Sequence, residues 1–182
     1  MDQRFVDLLA ERQEAVESLL SEMSKFTYEL RRRVQELRGL INIAEHNNVQ
    51  QRLYRERWGL FDDLVYDITI ADDLKVIVDT YIEPSGWSID IWADKGDASR
   101  LRGLLERLKI PFEPGSEPGT FDYRDPSGLD TFPFNENLDR IREVVQDLVD
   151  QLATSGAESQ DRVRSRCPPA SLLLPVFNEV PL

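Results

Sequence analysis

The chain has 182 residues, of which 41% are hydrophobic and 31% charged, and its formal net charge is −12. This composition is typical of one folded domain plus an extension and excludes a wholly disordered chain. The acidic excess disfavours direct binding to nucleic acid or anionic lipid and favours basic protein partners.

A lone cysteine, Cys167, excludes an internal disulfide. No apolar run approaches the roughly 20 residues that span a bilayer, so we expect a cytoplasmic protein without a membrane segment.

Residues 1–45 predict one long helix, because apolar side chains recur there in heptads and proline is absent. Gln13 and Thr27 are the polar exceptions in the stripe. The stripe residues predicted to contact a partner are Leu9, Val16, Leu20, Met23, Leu30, Val34, Leu37 and Ile41. A second row, formed by Phe5, Leu19, Phe26 and Leu40, widens the stripe. Three interpretations follow: a homodimeric coiled coil, a helix folded back on its own body, or a helix reserved for a different protein.

Residues 46–153 predict an α+β body. After a turn and short helix over 45–57, period-two alternation predicts strands at 64–71, 74–82 and 87–93, joined as an antiparallel meander. Asp97 is a candidate N-cap for a helix over 98–109. A proline-rich loop, a hairpin of 121–123 with 129–132, and a helix from about residue 135 to about 153 complete the body.

The alternation also assigns side chains to the two faces of the sheet. Tyr81 and Trp92 fall on the face opposite the apolar set, where they are core if a helix covers them and a partner-binding patch if none does. Asp79 and Asp90 are expected on facing strands of that same face, where they would form an acid/base pair if they lay within about 6 Å, although exposed carboxylates are the ordinary interpretation.

Residues 154–182 predict a flexible tail that ends in an apolar patch over 172–177. The patch either docks on its own domain or inserts into a groove of a partner.

The chemistry-bearing residues form no strong motif. Asp73 and Lys75 have the Asp-x-Lys spacing of Mg²⁺-dependent nucleases, but Asp-Asp is also common in turns. His46 is the only histidine, which excludes a site with several histidines and favours a surface or capping role. Cys167 has no local histidine. We therefore expect no catalytic residue, no metal site and no cofactor.

The predicted element order, and the run 130–134 (Asp-Thr-Phe-Pro-Phe) before the last helix, resemble the small acidic chaperones of type III secretion and related secretion-chaperone-like proteins. The resemblance covers about residues 50–153. It implies a protein that binds unfolded partner segments across a dimer and has no catalytic residues. The long heptad helix and the apolar tail depart from that family's pattern.

The sequence thus predicts a non-enzymatic adaptor, chaperone or inhibitor that binds a protein, itself included, through helix pairing and an acidic α+β body. Two alternatives are a Mg²⁺-dependent nuclease-like module using Asp73 and Lys75, and an acidic mimic of nucleic acid that blocks a DNA-binding protein. Neither direct nucleic-acid binding nor membrane association is expected.

Overall fold

A computed structural model describes residues 3–55, 62–70, 74–83, 86–126 and 138–166. The helices are α1 (Gln3–Glu11), α2 (Gln13–Leu40), α3 (Ala98–Leu108) and α4 (Leu138–Arg166). The strands are β1 (Val49–Arg55), β2 (Asp62–Thr69), β3 (Lys75–Glu83), β4 (Gly86–Ala93), β5 (Phe112–Pro114) and β6 (Thr120–Tyr123). The α+β class predicted from the sequence is confirmed.

The six strands form a single antiparallel sheet in the order β1-β2-β3-β4-β6-β5. Strands β1 to β4 follow one another as a meander, in which Thr80 of β3 lies between Leu64 of β2 and Ile89 of β4. After β4 the chain forms α3 and returns as β5 and β6, and β6 pairs with β4. The meander that alternation predicted is therefore present, with one further strand at its start.

One face of the sheet carries the core. The buried side chains of α2, α3 and α4 join those of the strands in a single cluster, which includes Val34, Leu104, Leu148, Tyr66 and Ile91. The predicted inward sets are all buried. They are Leu64, Tyr66, Ile68 and Ile70, then Leu74, Val76, Val78 and Ile82, then Trp87, Ile89 and Ile91. Period-two alternation therefore assigned the covered face correctly.

The turn predicted at the start of 45–57 is present at residues 44–48, but the short helix predicted after it is wrong, because strand β1 occupies Val49–Arg55. Its core-facing residues Val49, Gln51 and Leu53 do alternate, but glutamine and arginine fill most other positions. Such residues favour helices when isolated, and pairing with β2 overrides that preference. Strand β5 was also missed, because three residues ending at Pro114 are too few to show a pattern, and proline is tolerated at a sheet edge.

The long helices differ from the predictions at their ends. The first is interrupted at Arg12, whose backbone leaves the helical region (φ −115°, ψ 16°), and it ends at Leu40 rather than running through residue 45. The last continues past Gly156 to Arg166, so residues 154–166 are helical where a flexible tail was predicted. Asp97 stands at the N-cap of α3 but makes no capping hydrogen bond, since its carboxylate binds Arg100. The predicted strand 129–132, Cys167 and the apolar patch 172–177 lie outside the described residues.

Candidate partner-binding site

Among the residues that the structure describes, helix α2 packs into the core through its C-terminal half. Leu30, Val34 and Leu37 project from the heptad stripe into the core cluster, and Ile41 follows just beyond the helix end. These four predicted partner-contacting residues therefore pack inside their own chain. For this half of the helix, the structure has the folded-back arrangement among the three interpretations.

The N-terminal half of α2 carries the same stripe into solvent. We name this segment the distal stripe; its residues are Val16, Leu19, Leu20, Met23, Phe26 and Thr27. The four large apolar side chains of the distal stripe, which are Leu19, Leu20, Met23 and Phe26, are each between 43% and 60% exposed. Monomeric proteins rarely expose a contiguous apolar surface of this kind without using it. The side chain of Leu9 is not among those described, and Val6 on α1 is exposed.

The distal stripe sits on a regular, well-bonded helix. The hydroxyl groups of Ser24 and Thr27 donate to the carbonyls four residues earlier, at 2.8 Å each. Lys25 pairs with Glu22 at 2.8 Å. Helix geometry therefore fixes the distal-stripe side chains in one row, and the four large apolar members of that row are exposed.

Charge changes sign along α2. Residues 13–28 carry three acids and one base, for a net −2, whereas residues 29–40 carry two acids and four arginines, for a net +2. Arg32 binds Glu29 at 2.6 Å, which lowers the pKa of Glu29 and raises that of Arg32. Arg33 lies 3.7 Å from Glu29. Within the described part of the chain, the Nε of Arg31 is buried and has no hydrogen-bond partner.

The buried side chains of α2, α3 and α4 join the core on the first face of the sheet. The second face, here called the open face, carries the buried Val65 among half-buried and exposed residues. Tyr81 and Trp92 both lie on it, half-buried by their sheet neighbours, as alternation predicted. The Tyr81 hydroxyl donates to Asp90 Oδ1 at 3.2 Å. The structure therefore separates these two aromatic residues from the distal stripe, so the predicted partner-binding residues form two surfaces.

Acidic residues line up across the open face. Asp79 faces Asp90, Asp90 faces Asp122, and Asp122 faces Glu113, on four adjacent strands. Like charges in directly opposed positions repel, because their β-carbons lie only about 5 Å apart. Arg124 partly offsets this charge, at 3.1 Å from Glu113 and 3.8 Å from Asp122.

One basic residue at the other end of the open face is firmly paired. Arg52 on β1 makes two hydrogen bonds to Asp67 on β2, at 2.5 and 3.2 Å, and this pairing raises the pKa of Arg52. Its guanidinium also lies 5.8 Å from the centre of the Tyr54 ring. This cation is consequently held at β1 and β2, where Asp79, the first member of the acidic row, also favours its charge, while Asp122 and Glu113 lie on the far strands β6 and β5.

The nuclease hypothesis gains no support here. Asp73 lies outside the described residues, and Lys75 is exposed at the start of β3, opposite Thr69. Among the residues that the structure describes, no three His, Cys, Asp or Glu side chains are grouped closely enough to hold a metal ion. The Asp73 and Lys75 pair stays a prediction.

A polar cluster fastens the connection between α2 and β1 to α4, and sequence reasoning missed it. His46 Nε2 lies 2.7 Å from Asp150 Oδ1, which also accepts a hydrogen bond from Gln146 Nε2 at 2.9 Å. Gln146 exchanges two further hydrogen bonds with the backbone of Asn42, at 2.8 and 2.9 Å. Asn48 donates to the carbonyls of Thr69 and Ala153. These hydrogen bonds hold the end of α2 and the start of β1 against α4.

A cavity of about 570 Å³ lies between α4 and the segment that joins α3 to β5. Beside it Arg140 binds the buried Asp125 at 2.8 Å. Burial and the neighbouring Asp125 raise the pKa of the Tyr123 hydroxyl, which lines the cavity. Both arginine and acidic side chains line the cavity, so the charges of its walls do not favour an anionic ligand over a cationic one.

Comparison with protein-family models, with curated proteins and with solved structures finds no match. No helix in the described ranges is long and apolar enough to cross a membrane.

Proposed function

We propose that the protein is a non-enzymatic binding protein, of the adaptor, chaperone or inhibitor type, which associates with protein partners through the distal stripe of α2. The single observation that carries this proposal is the contrast within one helix. The heptad stripe is buried where the body covers it and remains apolar and exposed where the body ends.

The energetics favour a covered distal stripe. Burying one fully exposed Leu, Met or Phe side chain contributes about 1.5–3 kcal/mol, and about half of each of the four is still exposed, so together they contribute on the order of 3–6 kcal/mol per copy. Association itself costs several kcal/mol. The C-terminal half of α2 is already held by the core and by the contacts between Gln146 and Asn42. Because the helix is ordered before it binds, association costs less conformational entropy.

The acidic body is the second part of the proposal. Its open face presents Tyr81 and Trp92 beside carboxylates, which suits a basic or aromatic-binding segment of a partner. The resemblance to secretion-chaperone-like proteins agrees with this division, because those proteins bind partner segments and carry no catalytic residues.

The test compares two variants of the full chain. Leu20→Glu/Met23→Glu places two charges in the distal stripe, and Ser18→Glu/Ser21→Glu places two charges on the opposite, exposed side of the same helix. Self-association of the purified chain and retention of other proteins from extracts of its source cells are measured for both. We expect the stripe variant to lose association and the control to keep it. Equal behaviour of the two variants would contradict the proposed function.

The row of acids on the open face favours a second candidate, the acidic mimic of nucleic acid. Adjacent strands are about 4.8 Å apart, so the row from Asp79 to Glu113 presents one carboxylate per strand in a line, as a nucleic-acid backbone presents a line of phosphates about 3.4 Å apart along its axis. Competition with duplex DNA for a basic DNA-binding protein tests this idea. Competition that persists after Asp79→Asn/Asp90→Asn/Asp122→Asn would rule it out.

A further inference from the structure

We propose that the partner of the distal stripe is a second copy of this chain, paired antiparallel to the first. The inference rests on the proposed function and adds the identity and direction of the partner. Three observations support it: the position of the body relative to the distal stripe, the length of the exposed half of α2, and the distribution of charge along α2.

The position of the body excludes a parallel pair. Leu30, Val34 and Leu37 belong to the same stripe as Leu20 and Met23, and they are buried against the body. The body therefore occupies the space that the stripe faces. Two parallel copies would place both bodies at the same end of the paired helices and in the same space, whereas an antiparallel pair places them at opposite ends.

The length of the exposed N-terminal half of α2 favours one heptad register for pairing two antiparallel copies. In this register Leu20 faces Met23 of the partner's helix, and Val16 faces Thr27. The large exposed Leu19 then flanks Phe26 across the pair, and the charged Glu17 approaches Ser24. Shifting by one heptad in one direction drives the partner's helix into the body, and shifting in the other sets Glu17 against its own copy.

The ends of α2 agree with this register. Gln13, the first residue of α2 after the interruption at Arg12, falls opposite Leu30, which is the first stripe residue that the body buries. The part of α2 between Gln13 and Leu30 in one copy thus pairs along its length with the same part of the other copy. The interruption comes where a continued straight helix would meet the body of the second copy.

Charge complementarity supports the same direction. The acidic N-terminal half of one α2 lies along the basic C-terminal half of the other, so a net −2 segment approaches a net +2 segment at both ends. Glu14 of one copy comes beside Arg31 of the second. A parallel pair would instead align like-charged halves.

Disulfide cross-linking of full-length chains tests the arrangement. In a Cys167→Ser background, Val16→Cys and Thr27→Cys are made separately, then mixed and oxidised gently. In the antiparallel pair, Val16 of one copy faces Thr27 of the other, while the two Val16 residues are about 16 Å apart along the helix. A disulfide requires α-carbons roughly 4.4–6.8 Å apart.

The expected result is a covalent dimer in the mixture and little cross-linking of either variant alone. Cross-linking of Val16→Cys with itself would show a parallel pair and overturn the inference while leaving the proposed function standing. A monomeric mass for the wild-type chain at high micromolar concentration, with no cross-linking, would also overturn it. In that case stripe-dependent retention of a different protein decides whether the proposed function survives.

Discussion

Leu20 and Val34 occupy the same heptad position two heptads apart on helix α2, yet Leu20 is 58% exposed and Val34 is completely buried. The sequence repeats one apolar stripe along the helix, and the body covers only the second half of it. The protein therefore combines a core element and an exposed binding surface in a single helix. This division makes the following outcomes measurable.

The two halves of the stripe should differ in their contribution to monomer stability. Leu37→Ala removes a side chain from the closed core and should lower the free energy of unfolding by about 2–5 kcal/mol. The matched change Leu20→Ala should alter it by less than about 0.5 kcal/mol in dilute, monomeric protein. Urea unfolding of both variants measures this. Comparable losses would mean that the distal half is also covered within one chain.

Thr80→Val should stabilise the protein. Thr80 is fully buried between Leu64 and Ile89, and its Oγ1 has no hydrogen-bond partner in the described chain. Removing an unsatisfied buried hydroxyl while keeping the shape should add about 1 kcal/mol to the free energy of unfolding. Thr69→Val, at an exposed position of β2, is the control and should have little effect. A destabilised Thr80→Val protein would reveal a hidden partner for the hydroxyl.

Gln146→Ala should loosen the end of α2. The side chain makes two hydrogen bonds to the Asn42 backbone and one to Asp150, so its removal should cost about 1 kcal/mol and increase amide exchange near Asn42. Gln151→Ala on the same helix removes a single long contact to Asp147 and serves as the control. Unchanged exchange at Asn42 in the first variant would argue against the fastening role.

Stability should fall in alkaline solution because of Tyr66. Burial raises the pKa of its hydroxyl above the usual value near 10, although the hydrogen bond donated by Gln51 partly lowers it. The folded state keeps the proton that the unfolded state loses, so stability is constant below about pH 10 and falls above it by about 1.4 kcal/mol per pH unit. Tyr66→Phe should show a shallower decline in urea unfolding measured from about pH 9 to pH 11. The exposed Tyr54→Phe should decline like the wild type.

Sequence patterns predicted the covered side of the fold well, because period-two alternation reports which side chains face a core. Tyr66, Val78 and Ile91 were assigned correctly for that reason. Alternation is weak where strands lie at an edge, so β1 and β5 were missed. The end of α4 was misplaced because Gly156 lowers helix propensity only modestly, and the preceding helix already extends into it.

The candidate site was predicted in part. Heptad spacing identified the stripe on α2, but the same spacing describes buried and exposed residues alike, so it did not indicate that coverage stops near Leu30. The link from His46 to Asp150 joins residues about a hundred positions apart and leaves no local pattern. Alternation placed Tyr81 and Trp92 on the correct face of the sheet. It could not indicate that α2, α3 and α4 all pack on the other face, which only the structure shows.

The measurement that tests the central claim most directly is sedimentation equilibrium of the intact chain across the micromolar range, beside Leu20→Glu/Met23→Glu and Ser18→Glu/Ser21→Glu. We predict a dimer for the wild type and the serine variant, and a folded monomer with an unchanged circular dichroism spectrum for the stripe variant. If the stripe variant associated as strongly as the wild type, the exposed half of α2 would not be the binding surface, and the account would be wrong.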